Sequence, residues 1–361
     1  MNGSVGAVRS GRTNTITAAV AAFAALAAAT SLVAVVAPSP AESQSRNRDG
    51  FRDPDRDRKA NANGGYDTRQ ADNAQPPARF VAELDGRIVA VSAETGRVAQ
   101  HLAADKPGGG ASDPAVSPDG RTVWFARGDG TCGSHLASVP ATGGDEKRVP
   151  GSGEVGPEAR PLPRPGRAQL AYARRSCDKP GAALVVGDLA GLEGHGQSGL
   201  VPVAWNRTGE RLLATTEPTN ETRLLDVNKA GAVVASRPLQ PADSEPDCRL
   251  EVVGFSPDDN NGYLAVRRCG PSDERARVSL VLLGEDGGIR RTAVRLHRGR
   301  DFIDRPAFDT SGHSLLFITA PAGIRDSASA HHAEIALWLW RDGASRVLAG
   351  ETRLRNLAWL P

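Results

Sequence analysis

PAVSPDGRTVWFAR, residues 114–127, reads as a short apolar strand, a tight turn and a second apolar strand. Pro118 fixes φ, and Asp119 and Gly120 make the reversal, so each turn residue has a physical reason to be there. The pattern recurs. VAWNRTG (203–209), VGFSPDD (253–259) and PAFDTSG (306–312) repeat it, RPLPRPG (160–166) is a degenerate copy, and LAWLP (357–361) repeats its first half. The anchors Trp205, Phe255, Phe308 and Trp359 are spaced roughly 50 residues apart, and the wider gap back to Val116 holds the degenerate copy. A second apolar strand follows each turn: TVWFAR (122–127), QLAYAR (169–174), LLATT (212–216), YLAVR (263–267) and LLFIT (315–319).

A second register supports the first. Glycine-bearing turns recur at Thr95-Gly96, Gly143-Gly144, Ala190-Gly191, Ala230-Gly231, Gly287-Gly288 and Asp342-Gly343, each between two short β-prone segments. Strand, turn, strand, loop, strand, turn, strand is a four-stranded antiparallel unit, and such units at this period predict propeller blades. One sheet alone leaves both faces wet; stacking against neighbours buries them. Five blades are expected at about 113–150, 156–198, 200–240, 250–297 and 304–350. The strand at 354–359 then completes a sixth with the three strands of 78–104, which removes the open sheet edges. The expectation is an all-β, six-bladed β-propeller spanning 78–361.

PAVSPDGRTVWFAR resembles the signature turn of TolB-like propellers, and FSPDDNNGYLAVR (255–267) is a looser copy. The resemblance to this TolB-like, WD-repeat-like group covers roughly 78–361, with departures in the blades at 156–240. It implies roles as protein-binding scaffolds in the cell envelope or as propeller modules attached to peptidases. It implies no chemistry for the signature residues, which shape a turn.

The chain holds 40 glycines and 25 prolines, where average usage would give roughly 25 and 18 in this length, as frequent turns require. Its 44 basic and 42 acidic residues are interspersed, with no basic face of the kind a nucleic-acid partner needs. Arg9 and Arg12 precede an uncharged apolar run at 15–37, long enough to span a bilayer and oriented to deliver the rest of the chain outside. Residues 1–41 are therefore either a signal peptide cleaved near Ala41 or a single-pass anchor formed by 15–37. Residues 42–77, charged and low in apolar side chains, read as a disordered linker. The membrane is engaged only through the N-terminal segment.

Four cysteines in an exported chain are expected as disulfides. Cys132 and Cys177 follow the second strands of adjacent blades, whereas Cys248 precedes the first strand of a later blade and Cys269 follows its second. Cys132–Cys177 and Cys248–Cys269 are the pairs this register predicts. No CxxC spacing points to zinc. GHGQSGL (194–200) lacks the last glycine of a nucleophile elbow and reads as a loop. SPDGRT (117–122) differs from an Asp box in its glycine position and reads as a turn. His331-His332 with Glu334 reads as solvated, and Asn206-Arg207-Thr208 and Asn220-Glu221-Thr222 match the glycosylation triplet. Asp113, Glu158, Glu251, Asp304 and Arg355 stand where inner strands begin, so they are expected around one mouth of the channel as a binding rim. No catalytic residue, metal or cofactor is expected. The functional expectation is an exported, non-enzymatic module that binds another envelope protein or a wall component. The alternatives are an extracytoplasmic hydrolase or lyase with its site at the channel mouth, and the sensor domain of a membrane-anchored assembly.

Overall fold

In β1 (Arg79–Leu84), Phe80, Ala82 and Leu84 point to one side of the sheet and Val81 to the other, and all four are buried. A strand buried on both faces needs a neighbouring sheet on each side, and that requirement builds a ring. The computed structural model describes residues 78–361 apart from 131, 242, 244, 258–260, 273–274, 310, 325–334, 342, 349–352 and 361. The expected signal or anchor segment, the linker and the His331-His332-Glu334 group lie outside the described residues. No helix among the described residues is long and apolar enough to cross a membrane.

The first blade takes β1, β2 (Arg87–Ser92) and β3 (Val98–Ala103). The second holds β4 (Ala111–Val116), β5 (Thr122–Gly128), β6 (Ser134–Pro140) and β7 (Lys147–Arg148), and the third β8 (Glu158–Pro163), β9 (Gln169–Arg175), β10 (Ala182–Asp188) and β11 (Gly194–Ser198). The fourth holds β12 (Leu200–Trp205), β13 (Arg211–Thr216), β14 (Thr222–Val227) and β15 (Val233–Pro238), and the fifth β16 (Cys248–Phe255), β17 (Tyr263–Cys269), β18 (Arg277–Leu283) and β19 (Ile289–Arg295). In the sixth, an inner strand broken into β20 (Arg300–Phe302) and β21 (Ala307–Phe308) pairs with β22 (Ser314–Pro321), followed by β23 (Ala336–Arg341) and β24 (Ala344–Val347). Finally β25 (Arg355–Trp359) pairs antiparallel with β1, giving the sheet order β25-β1-β2-β3. The described residues form a six-bladed β-propeller closed by this composite blade.

Interblade packing shows the ring is continuous. Val81, Ile88 and Ala90 meet Val123, Phe125 and Val139 of the second blade, while Phe80, Val89 and Trp359 meet Leu316, Ile318 and Leu337 of the sixth. Four further clusters fill the seams between the remaining neighbours. Indole N–H groups tie inner strands together: Trp359 donates to the Ala307 carbonyl (2.7 Å) and Trp205 to that of Leu162 (3.1 Å).

The 117–122 turn is held by its own side chains. Ser117 Oγ donates to Asp119 Oδ1 (2.6 Å) and accepts from the Thr122 amide (2.9 Å), while Asp119 Oδ1 also accepts from the Arg121 amide (3.1 Å). Those bonds from Ser117 and Arg121 hold the Asp119 carboxyl below the usual carboxylate range. Gly120 sits at φ 71°, where a side chain would be strained. Asn206 fills the serine position of its own repeat, buried, with Oδ1 accepting from the amides of Glu210 and Arg211, so this triplet serves a turn. One expectation is corrected. Residues 194–198 of GHGQSGL are not a loop but the outer strand β11, paired with β10 from Ala183↔Ser198 to Gly187↔Gly194. An edge strand needs only backbone donors and acceptors, which its small polar residues supply.

Candidate binding site at the mouth of the central channel

All six inner strands run in the same sense, so their starts encircle one end of the channel and the short turns encircle the other. A cavity of about 810 Å³ runs between the two, lined by residues of every blade. Much of its lining is apolar, with Leu162, Val203, Trp205, Phe255 and Phe308. Its charged end is at the strand starts, and the same end of the molecule carries both disulfides. Cys132–Cys177 joins the β5–β6 and β9–β10 loops of adjacent blades, and Cys248–Cys269 joins directly opposed residues at the start of β16 and the end of β17. Asp243 lies beside the second pair, but its carboxylate binds Arg267 (2.5 and 3.0 Å) and disulfide sulfurs are not thiolate ligands.

Inner strands bulge just after they begin. Register shifts fall between Ser112 and Ala115, Ala159 and Leu162, Pro202 and Ala204, and Val252 and Gly254. Asp113, Arg160 and Asn356 occupy equivalent repeat positions at φ 52°, 53° and 51°, a conformation that a bulge imposes and side chains tolerate at a cost. The bulge turns each of them into the channel, where all three line the cavity. In the sixth blade the break at Ile303–Pro306 does the same for Asp304 and Arg305.

The charges divide the mouth in two. On one side, Asn356 Nδ2 donates to Glu83 Oε2 (2.8 Å), the Asp113 amide approaches the same oxygen (3.4 Å), and Asp304 accepts from the amides of Arg305 (2.7 Å) and Asn356. What surface Asp304 keeps faces the cavities it lines. Burial pushes its carboxyl above the ordinary range, with those two amides offsetting part of the effect. Burial raises Glu83 in the same way, and the nearby charges of Asp113 and Asp304 add to it. On the other side, Arg305 reaches from the sixth blade to the fourth, with Nη1 3.3 Å from the Val203 carbonyl and 3.5 Å from that of Pro202. It passes in front of the fifth blade and forms a bar between the main cavity and a smaller one of about 250 Å³. Burial, with the charge of Arg160 adding to it, brings the Arg305 guanidinium down to about 10, so it stays protonated at neutral pH.

Of the five expected rim residues, Asp113 and Asp304 line the cavity. Glu251 faces the smaller cavity, exposed and paired with Arg268 (2.6 Å). Arg355 starts β25 opposite Glu83 and donates to the Leu354 carbonyl (2.8 Å); burial lowers it, and Asp304 and Glu83 offset part of that. Glu158 is a correction. It is fully buried between blades, accepting from Ser152 Oγ (2.5 Å), the Gly153 amide (3.2 Å) and Arg174 (3.0 Å), and takes no part in the rim. Sequence reasoning missed Arg160, Arg305, Asn356 and Glu83. A signal for two of them existed: like Asp113 before Val116, Arg305 and Asn356 stand three residues before the anchors Phe308 and Trp359.

No protein-family model matches the chain, and no curated protein matches it either. Solved structures similar to it include β-propellers. One is a protein assigned as TolB from Agrobacterium tumefaciens, at 13% identity and TM-score 0.49, covering 79% of this chain and 99% of that one. A second is a protein of unknown function from Bacteroides caccae, at 13% identity and TM-score 0.44, with coverage of 79% and 99%. A third is the propeller domain of a trilobed protease from Pyrococcus furiosus, at 10% identity and TM-score 0.40, with coverage of 66% and 71%. At such identities likeness concerns fold alone, and the strand pairing described above establishes that fold without it.

Proposed function

We propose that this chain is an exported, non-enzymatic propeller that docks another envelope protein or a wall component on the face carrying both disulfides. One observation carries the reading: at the end of the channel where the charged mouth opens, one bridge ties two loops together and the other ties the strand ends from which loops leave. Braced loops lose less conformational entropy on docking. Two disulfides accord with an oxidising, extracytoplasmic compartment.

Capture from an envelope extract tests this with two variants. Asp113→Ala with Glu251→Ala alters the disulfide face, and Arg121→Ala with Lys229→Ala alters the turn face. Capture that survives the second change and fails with the first supports the proposal. The reverse outcome places docking on the turn face. Turnover of a substrate by the purified chain, lost in the Asp113→Ala protein, would replace docking with the enzyme reading.

A further inference from the structure

The central cavity itself has the make-up of a ligand site, independently of any docking on the rim. Arg160 is exposed to the channel and makes no hydrogen bond or ion pair with any described residue. Arg305 stands beside it and spends only one nitrogen, on two long contacts to carbonyls. Two guanidinium groups thus meet in one cavity with most of their donors unused. The charges of Asp304, Asp113 and Glu251 offset part of theirs, but none of these acids bonds either guanidinium, and both oxygens of Asp304 accept from backbone amides. The same cavity is also lined by the apolar side chains of Trp205, Phe255 and Phe308. Its volume of about 810 Å³ lies within the roughly 300–1,000 Å³ of small-molecule sites.

We propose that the cavity binds a small organic anion, whose carboxylate or phosphate is held by Arg160 and Arg305 and whose apolar body lies against Trp205, Phe255 and Phe308. Arginine suits this role, because its planar fork can give two parallel hydrogen bonds to one oxyanion. An anion between the two guanidiniums also relieves their mutual repulsion. A cation of the same shape would gain no such relief and would meet the charge of both guanidiniums.

Calorimetric titration of the full chain with phenyl phosphate, hexanoate, inorganic phosphate and hexylammonium tests the proposal. Phenyl phosphate or hexanoate is expected to bind, inorganic phosphate at least tenfold more weakly, and hexylammonium not measurably. Arg160→Gln should lower affinity for the organic anions at least tenfold, Arg160→Lys less, and the exposed Arg97→Gln not at all. Preferential binding of hexylammonium, equal binding of inorganic phosphate, or undiminished binding by Arg160→Gln would overturn the proposal, as would failure of both organic anions to bind at millimolar concentration. The ranking of the four compounds on the unaltered chain decides the matter even where a variant folds poorly.

Discussion

The guanidinium carbon of Arg164 lies 5.0 Å from the centre of the Trp205 ring, over its face. From there it donates to the carbonyls of Gly209 (2.6 Å), Asn228 (2.8 Å) and Val227 (2.9 Å) in the fourth blade and to Gln169 Oε1 (2.7 Å) in its own. Only 2% of Arg164 is exposed. The degenerate repeat copy therefore carries a clamp between two blades, in place of the self-contained turn of 117–122.

Arg164→Ala should remove that clamp and leave three carbonyls without their donor. The expected loss is about 4 kcal/mol, since each buried unpaired group costs roughly 1–3 kcal/mol and the costs are not additive. Arg164→Lys should recover less than half of it, because a point charge cannot serve diverging acceptors. Denaturant unfolding reads both values, and an alanine variant within about 1 kcal/mol of wild type would show that the clamp does not hold the seam.

Most of the fold was legible because the ring repeats. Val116, Trp205, Phe255, Phe308 and Trp359 mark inner strands in any register, and blade topology alone brings Cys132 near Cys177 and Cys248 opposite Cys269. The site was less legible because regular strand alternation does not foresee a bulge. Counting from strand starts selects Glu158, which is buried, whereas the bulge two residues on turns Arg160 into the channel. Glu83 was out of reach for a different reason. It joins the mouth through Asn356, 273 positions away.

Glu146 offers a second stability test. Its carboxylate takes Arg127 Nε (3.2 Å) and Nη2 (2.6 Å), and Arg127 is 2% exposed. Burial would raise Glu146, but the bonds from Arg127 and Lys106 outweigh it and hold the carboxyl below its ordinary range. Glu146→Gln should cost about 3 kcal/mol by leaving the buried guanidinium uncompensated. A lowered folded-state pKa means that this contribution is present above the unfolded value of about 4.3 and is lost as pH falls through the folded one. The gap between wild type and variant should therefore close in acid, and a gap independent of pH would contradict the assignment.

Glu83 should behave in the opposite sense. Its carboxyl is raised, so at low pH both folded and unfolded chains hold the proton and its ionisation costs the fold nothing. As pH rises through the unfolded and then the folded value, the folded state gives up its proton less readily and stability falls. Glu83→Gln keeps an acceptor for Asn356 and cannot ionise. Its stability relative to wild type should grow between about pH 4 and neutrality; a difference that shrinks over this range would be the wrong sign.

Ring closure is measurable through Trp359, whose indole meets Phe80 edge-on at 6.3 Å and bonds Ala307. Trp359→Ala should cost roughly 3–5 kcal/mol. Deleting 355–361 should cost more, since β1 then loses its partner strand along with the side chain. Equal melting temperatures for the truncated and complete chains would mean that β25 does not close the ring.

The partner of β1 is made long after β1 itself. During synthesis the first three strands of the composite blade emerge with a bare edge, and they keep it until β25 has followed. Contacts between positions this far apart in the chain form slowly, because a long loop must close before any of them is gained. Any chain lacking that last strand thus shows an unpaired edge that the closed ring hides, so the clasp that seals the propeller also shields it from edge-to-edge aggregation.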